Sequence, residues 1–99
     1  PGVFSHRRVD PGARRLIDAV NVQPGERVLD LGCGSGVVAL AAASLSEEIK
    51  VHAVDSSIRA IECVQRGAEL NGFANVTAEL NAHGGYQGSG EYDIVLANP

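Results

Sequence analysis

Methionine is absent from the 99 residues and the chain opens on Pro1, which predicts that the natural N-terminus lies upstream. No apolar run approaches the roughly 20 residues that a bilayer-crossing helix needs, so a helical membrane span is excluded. Nor does a basic start lead into an apolar stretch, the mark of a signal peptide. The only two cysteines, Cys33 and Cys63, have neither zinc-ligand nor redox spacing, so two free thiols in a reducing cytoplasm are expected. His6, His52 and His83 show no metal spacing among themselves, and no metal is expected. Repeats, low-complexity tracts and linkers are missing too, which leaves one small domain or a piece of a larger one. A hydrophobic content of 44% with 20% charged residues excludes a disordered chain.

Charge is present but unevenly placed. Residues 1–27 hold five arginines against three acids, a net +2, whereas residues 28–99 hold three basic residues against nine acids, a net −6. A basic N-terminal face could meet a polyanion that the rest of the domain repels; it could equally be a solvated helix face.

Periodicity predicts an alternating order of elements. Residues 1–11 read as an irregular lead-in, followed by a helix over 12–22 with Ala13, Leu16, Ile17 and Val20 at helical spacing and Pro24-Gly25 beyond it. Arg27 to Leu31 reads as a short buried strand, then a Gly-rich turn, then an apolar helix from Val37 to Leu45. A second strand at 50–55 leads to an amphipathic helix over 57–71, with Ile58, Ile61, Val64 and Ala68 expected inward and Cys63 expected buried. A third strand covers 75–80, and a fourth runs from Tyr92 to Ala97 after a Gly-rich loop. This order predicts an α/β fold, a doubly wound parallel sheet with right-handed crossovers. The last strand is apolar throughout, so it expects neighbours and cover on both sides. Residues 1–99 are therefore expected to be the front half of a domain, with 1–25 as lead-in and first helix and 26–99 as the ligand-binding half.

The chemistry is concentrated in Val28-Leu29-Asp30-Leu31-Gly32-Cys33-Gly34-Ser35-Gly36, together with Asp55. A strand that runs into a glycine turn and then a helix lets the backbone approach a ligand and offers it helix-terminal amides. An acid ending the next strand can accept hydrogen bonds from two ribose hydroxyls. Nicotinamide and flavin sites share that pattern. Two details favour another ligand: Val37 stands where a dinucleotide fingerprint wants its third glycine, and Asp30 precedes the turn. A carboxylate there repels a pyrophosphate but suits S-adenosylmethionine, which carries an ammonium and a sulfonium against one carboxylate.

These residues resemble the class I methyltransferases. VLDLGCGSG resembles their first motif and VDSSIRAIECVQRGAELNG their second with its helix, while Asp93 to Pro99 (DIVLANP) resembles the opening of their amine-methylating Asn-Pro-Pro-aromatic motif. The lead-in PGVFS, with Asp10 and Gly12 after it, is similar to the guanine-amine methyltransferases of small-subunit ribosomal RNA. The resemblance implies a Rossmann-like methyltransferase core and S-adenosylmethionine as cofactor. It implies that Gly32, Cys33, Gly34 and Gly36 line the methionine moiety, Asp30 holds its ammonium, often through water, and Asp55 binds the ribose. Ser56 and Ile58 would lie beside the adenine, Asn81 at its edge, and Asn98 and Pro99 would form the catalytic motif, whose second proline and aromatic lie beyond the chain. Phe4 could cover cofactor or substrate, and Arg7 and Arg8 could meet ribosomal RNA.

Other readings stay open. The acceptor could be a protein glutamine amide or adenine, the chain could hold the cofactor without transferring its methyl, and a nicotinamide oxidoreductase is a further alternative. Asp30 could cap the turn, Asp55 could cap the 57–71 helix, Cys33 could be no more than a small turn residue, and His52 is expected to be structural. The sequence leaves the oligomeric state open.

Overall fold

Two of the three helices among the described residues begin at a short polar side chain that satisfies their first amides. α1 (Pro11–Val20) has Asp10 as its cap, whose Oδ1 accepts from the Ala13 N–H at 2.9 Å, and Asn21 ends it in the left-handed conformation at φ 61°. α3 (Ile58–Asn71) is capped by Ser57, whose Oγ accepts from the Ala60 N–H at 3.3 Å, and Gly72 closes it at φ 71°. α2 (Val37–Ser44) is the exception: it opens on Gly36, at φ 86°, with no side-chain cap. The structure, a computed structural model, describes residues 10–81 and 91–97.

Between the helices run β1 (Arg27–Leu31), β2 (Lys50–Asp55), β3 (Val76–Leu80) and β4 (Ile94–Ala97), all parallel, in the order β3-β2-β1-β4. Register aligns Val28 with Val51 and Ile94, Asp30 with Ala53 and Leu96, and Asp55 with Leu80. The expected parallel α/β sheet is present, with strands three and four starting one and two residues later than the sequence pattern suggested.

The core lies on one face of that sheet. Val28, Val51 and Ala53 pack with Ile17 of α1, Ala39, Ala41 and Ala42 of α2, and Ile61 and Val64 of α3. Small residues on α2 bring the helix close to the strands, and burying each larger aliphatic contributes roughly 1.5–3 kcal/mol. Behind the core, the Asn75 side chain donates through Nδ2 to the carbonyls of Ala43, Ser46 and Ile49 at 3.2, 3.0 and 2.7 Å, fastening the loop between α2 and β2.

Three inward positions differ from the sequence pattern. On α3 the buried residues are Ala60, Ile61, Val64 and Ala68. Cys63 and Ile58 fall about 100° from the centre of that stripe at 3.6 residues per turn, so both are exposed. Leu16, at the margin of the α1 stripe, is 45% exposed.

Candidate functional site

The site forms where β1 and β2 end side by side. In a parallel sheet the crevice beyond the carboxyl ends of adjacent strands is the natural place for a ligand. The turn from Gly32 to Gly36 is bound to β2 rather than left loose: the Gly32 and Cys33 N–H groups both donate to the Val54 carbonyl, at 2.7 and 3.1 Å. At its centre the Gly34 N–H donates to Asp55 Oδ2 at 2.9 Å. The other carboxylate oxygen, Oδ1, accepts from the Ser57 N–H at 2.9 Å. Asp55 thus joins the turn to the start of α3.

Those two amides hold the Asp55 carboxyl below the usual carboxylate range, Gly34 more than Ser57, against a smaller upward effect of burial. Asp55 is therefore ionised at neutral pH and acts only as an acceptor. Oδ2 accepts from Gly34 and Oδ1 from Ser57, the Ser56 amide adds a smaller lowering effect, and a carboxylate has capacity for further donors. The helix cap is Ser57, so Asp55 acts on the turn and on the Ser57 amide instead of capping α3 itself.

The three glycines divide the work. Gly32 and Gly34 are exposed, and a Cβ built on Gly34, at φ 56°, would meet nothing within 4 Å. Gly36 is buried, and a Cβ there would lie 2.6 Å from Cγ2 of Val64. Gly34 makes an open cradle beside exposed Gly32, and Gly36 allows α3 to approach the turn.

Asp30 is fully buried, the only charged side chain so placed among the described residues, on the strand face of Val28 and Ala53. It is the second residue before Gly32, and its side chain is closed off from the surface. Its charge, and that of Asp55, add to the larger effect of burial in pushing the Cys33 thiol up to about 11. Cys33 is a neutral packing residue of the turn, with no nucleophilic character.

Around Asp55 the other expected residues fall as follows. Ser56 is exposed, Ile58 is 62% exposed at the start of α3, and the Asn81 N–H donates to the Asp55 carbonyl at 2.9 Å. Leu80, aligned with Asp55 in the sheet and 43% exposed, stands at the same rim. Sequence reasoning missed Leu80, although an apolar residue at a strand's end beside the acid was the available signal. Phe4, Arg7, Arg8, His6, His83, Asn98 and Pro99 lie outside the described residues. No group of three or more metal-ligating side chains occurs among the described residues, and no helix there is long and apolar enough to cross a membrane.

Comparison with known proteins gives a consistent answer. Ribosomal RNA small subunit methyltransferase C of Pseudoalteromonas atlantica is 35% identical over 99 residues, covering all of this chain and 28% of that protein. Ribosomal RNA large subunit methyltransferase G of Vibrio vulnificus is 36% identical over 102 residues, covering 100% of this chain and 27% of that protein. The chain thus spans less than a third of the curated relatives it matches. Among solved structures, coclaurine N-methyltransferase bound to N-methylheliamine and SAH superposes with a TM-score of 0.78 at 27% identity, over 89% of this chain and 27% of that one. A protein-L-isoaspartate O-methyltransferase gives 0.71 at 27% identity, over 88% and 28%. The parallel sheet with its turn-bound acid is the class I methyltransferase fold, and the family model described as Methyltransferase small domain matches residues 1–99, so the chain belongs to that family.

Proposed function

We propose that this chain is the cofactor-binding half of an S-adenosylmethionine-dependent methyltransferase that acts on an exocyclic amine, with guanine in small-subunit ribosomal RNA as the acceptor. The observation that carries the reading is the Asp55 carboxylate, held ionised beside an open glycine cradle by the Gly34 and Ser57 amides. Adenosine-type ligands need an acceptor pair for the ribose diol, and the spare capacity of the two Asp55 oxygens supplies it. The methionine end needs backbone that it can approach closely, and Gly34 with no atom near its missing Cβ supplies that. Exposed Ile58 and Leu80 offer apolar surface for adenine on the same rim. The residues present therefore fit this cofactor.

When bound, S-adenosylmethionine supplies a sulfonium methyl to a nucleophile. The chain's own part is to bind, orient and polarise. Gly32, Cys33 and Gly34 line the methionine end and Asp55 holds the ribose, with Ser56, Ile58 and Asn81 around the adenine and Asp30 contributing negative potential from its buried position. An exocyclic amine is a poor nucleophile because its lone pair is delocalised. The Asn98 side-chain oxygen and Pro99 carbonyl accept hydrogen bonds from that amine and favour a tetrahedral nitrogen, which is catalysis by positioning and electrostatics without a covalent intermediate.

The ribosomal acceptor is supported by the relatives named for ribosomal RNA, and Phe4, Arg7 and Arg8 are assigned to that substrate. Such a substrate sets the place of action in the cytoplasm. The test is calorimetric titration of the complete protein with S-adenosylhomocysteine, with NAD as control. Selective binding of the former is expected; binding of NAD alone, or of neither by folded protein, removes the cofactor reading. Asn98→Ala should then keep cofactor affinity while lowering methyl transfer to ribosomal RNA, and equal losses in both would remove the catalytic assignment.

A further inference from the structure

α3 holds the glycine turn at two points. Its cap, Ser57, is tied by its N–H to Asp55, which in turn accepts the Gly34 N–H. About two turns along the helix from that cap, fully buried Val64 lies against Gly36, with Cγ2, Cα and Cβ at 2.6, 3.3 and 3.4 Å from the place of a Cβ on that glycine. The middle of the turn is thus tied to α3 by a hydrogen-bonded link, whereas its far end, closed within the turn by the Gly36 N–H donating to the Cys33 carbonyl at 2.8 Å, meets α3 by packing. The same helix supplies both attachments, and α2 starts directly from the second one without a side-chain cap.

We infer that Val64 is a positioning residue for the ligand turn: its branched side chain sets the place of Gly36 and, through it, the geometry of the Gly34 cradle relative to Asp55. This rests on the cofactor reading for its link to function, but its structural content does not. Val64 touches no ligand, so it acts only through the turn. Removing both γ-methyls leaves a void that the turn can move into, and a shift of an ångström in a ligand's backbone cradle is costly. Replacing Val64 by threonine keeps the branched shape but buries a hydroxyl, which lowers stability without changing the contact surface at Gly36.

That contrast gives the experiment. Val64→Ala and Val64→Thr are made in the complete protein, and two quantities are read: affinity for S-adenosylhomocysteine, and amide exchange of the peptide covering the turn in the ligand-free protein. V64A is expected to bind about five- to tenfold more weakly and to exchange faster at the turn. V64T should lose stability comparably while staying within about twofold of the parent in affinity and matching it in exchange at the turn. Unchanged turn exchange in V64A overturns the proposal, and so does a V64T that loosens the turn as V64A does, because the effect is then one of stability. If the parent itself fails to bind S-adenosylhomocysteine, the cofactor reading falls, while the ligand-free exchange still decides the role of Val64. Where V64A does not fold, Gly36→Ala and Gly34→Ala take its place. Both put a side chain on left-handed backbone, but only G36A strikes Val64, so turn exchange must rise more in G36A, and an equal rise overturns the proposal.

Discussion

The two ends of the sheet are built on opposite plans. At the carboxyl end, β1 and β2 run out into a turn held largely by backbone groups, with Asp55 hydrogen-bonding both the turn and the Ser57 amide at the start of α3. Toward the amino end, side chains link the strands directly. His52 on β2 bonds Thr77 and Glu79 of β3 at 2.6 and 2.9 Å, and its ring stacks with that of Tyr92, just before β4, at 6.5 Å. The Arg27 guanidinium on β1 sits 5.1 Å from the centre of the Tyr92 ring and bonds Glu91 at 3.3 Å. A backbone-lined end leaves donors and acceptors facing outward for a ligand, whereas a side-chain-linked end uses its polar groups up in holding strands together. Binding and rigidity are therefore separable by mutation.

Asp55→Ala should give the largest separation. On the proposed role it removes the acceptor for both ribose hydroxyls, so S-adenosylhomocysteine binding should weaken by about 1.5–3 kcal/mol, read by calorimetry. An unchanged dissociation constant would sink the ribose role. The same carboxylate has a pH signature. Its folded-state value is depressed, so its contribution to stability is complete above the ordinary carboxylate range and is lost as pH falls toward the depressed value. Asp55→Asn should flatten that part of the acid-denaturation profile.

Asn75→Ala should show the reverse pattern. Nδ2 has two hydrogens for the three carbonyls of Ala43, Ser46 and Ile49, so it shares them, and its loss leaves partly buried acceptors without this donor. A stability loss of about 1–2 kcal/mol in urea unfolding is expected, with ligand affinity within about twofold of the parent. His52→Ala should be milder, about 1 kcal/mol, because its partners are more exposed. A large change in ligand affinity in either variant would mean that the two ends are coupled.

Much of this contrast was legible in the sequence, and the reason is local chemistry. Gly32, Gly34 and Asp55 announce themselves because a tight turn with positive φ favours glycine and an acid at the end of the next strand can bond that turn's amides. The succession of strands and helices along the chain follows from apolar runs alternating with helical spacing. The misses were relational. That Gly36 packs on Val64 while Gly34 stays open depends on how close α3 comes to the turn, which no spacing within either segment encodes. Asn75 looks like an ordinary polar residue until tertiary folding brings distant carbonyls to it, and His52, expected to be structural, has partners on β3 that its own segment does not name. Cys63 was misjudged because its position lies just off a stripe whose centre is fixed only by packing.

The two thiols give the smallest effect and the sharpest reading of order within the turn. Cys33 is buried, and burial, with the charges of Asp30 and Asp55, pushes its thiol up to about 11, while Cys63 is exposed on α3. Alkylation needs both access and thiolate, so at mildly alkaline pH iodoacetamide should label Cys63 in the native protein and leave Cys33 untouched until denaturant is added. The stability linked to Cys33 is complete below the ordinary thiol range and declines as pH rises toward about 11, because the unfolded chain ionises first. Mapping the labelled peptides by mass spectrometry decides between a turn that is ordered before ligand arrives and one that the ligand must order. If Cys33 were labelled as fast as Cys63 in native protein, the glycine turn would be opening on its own, and the bond from Gly34 to Asp55 would be too weak to hold the cradle in place.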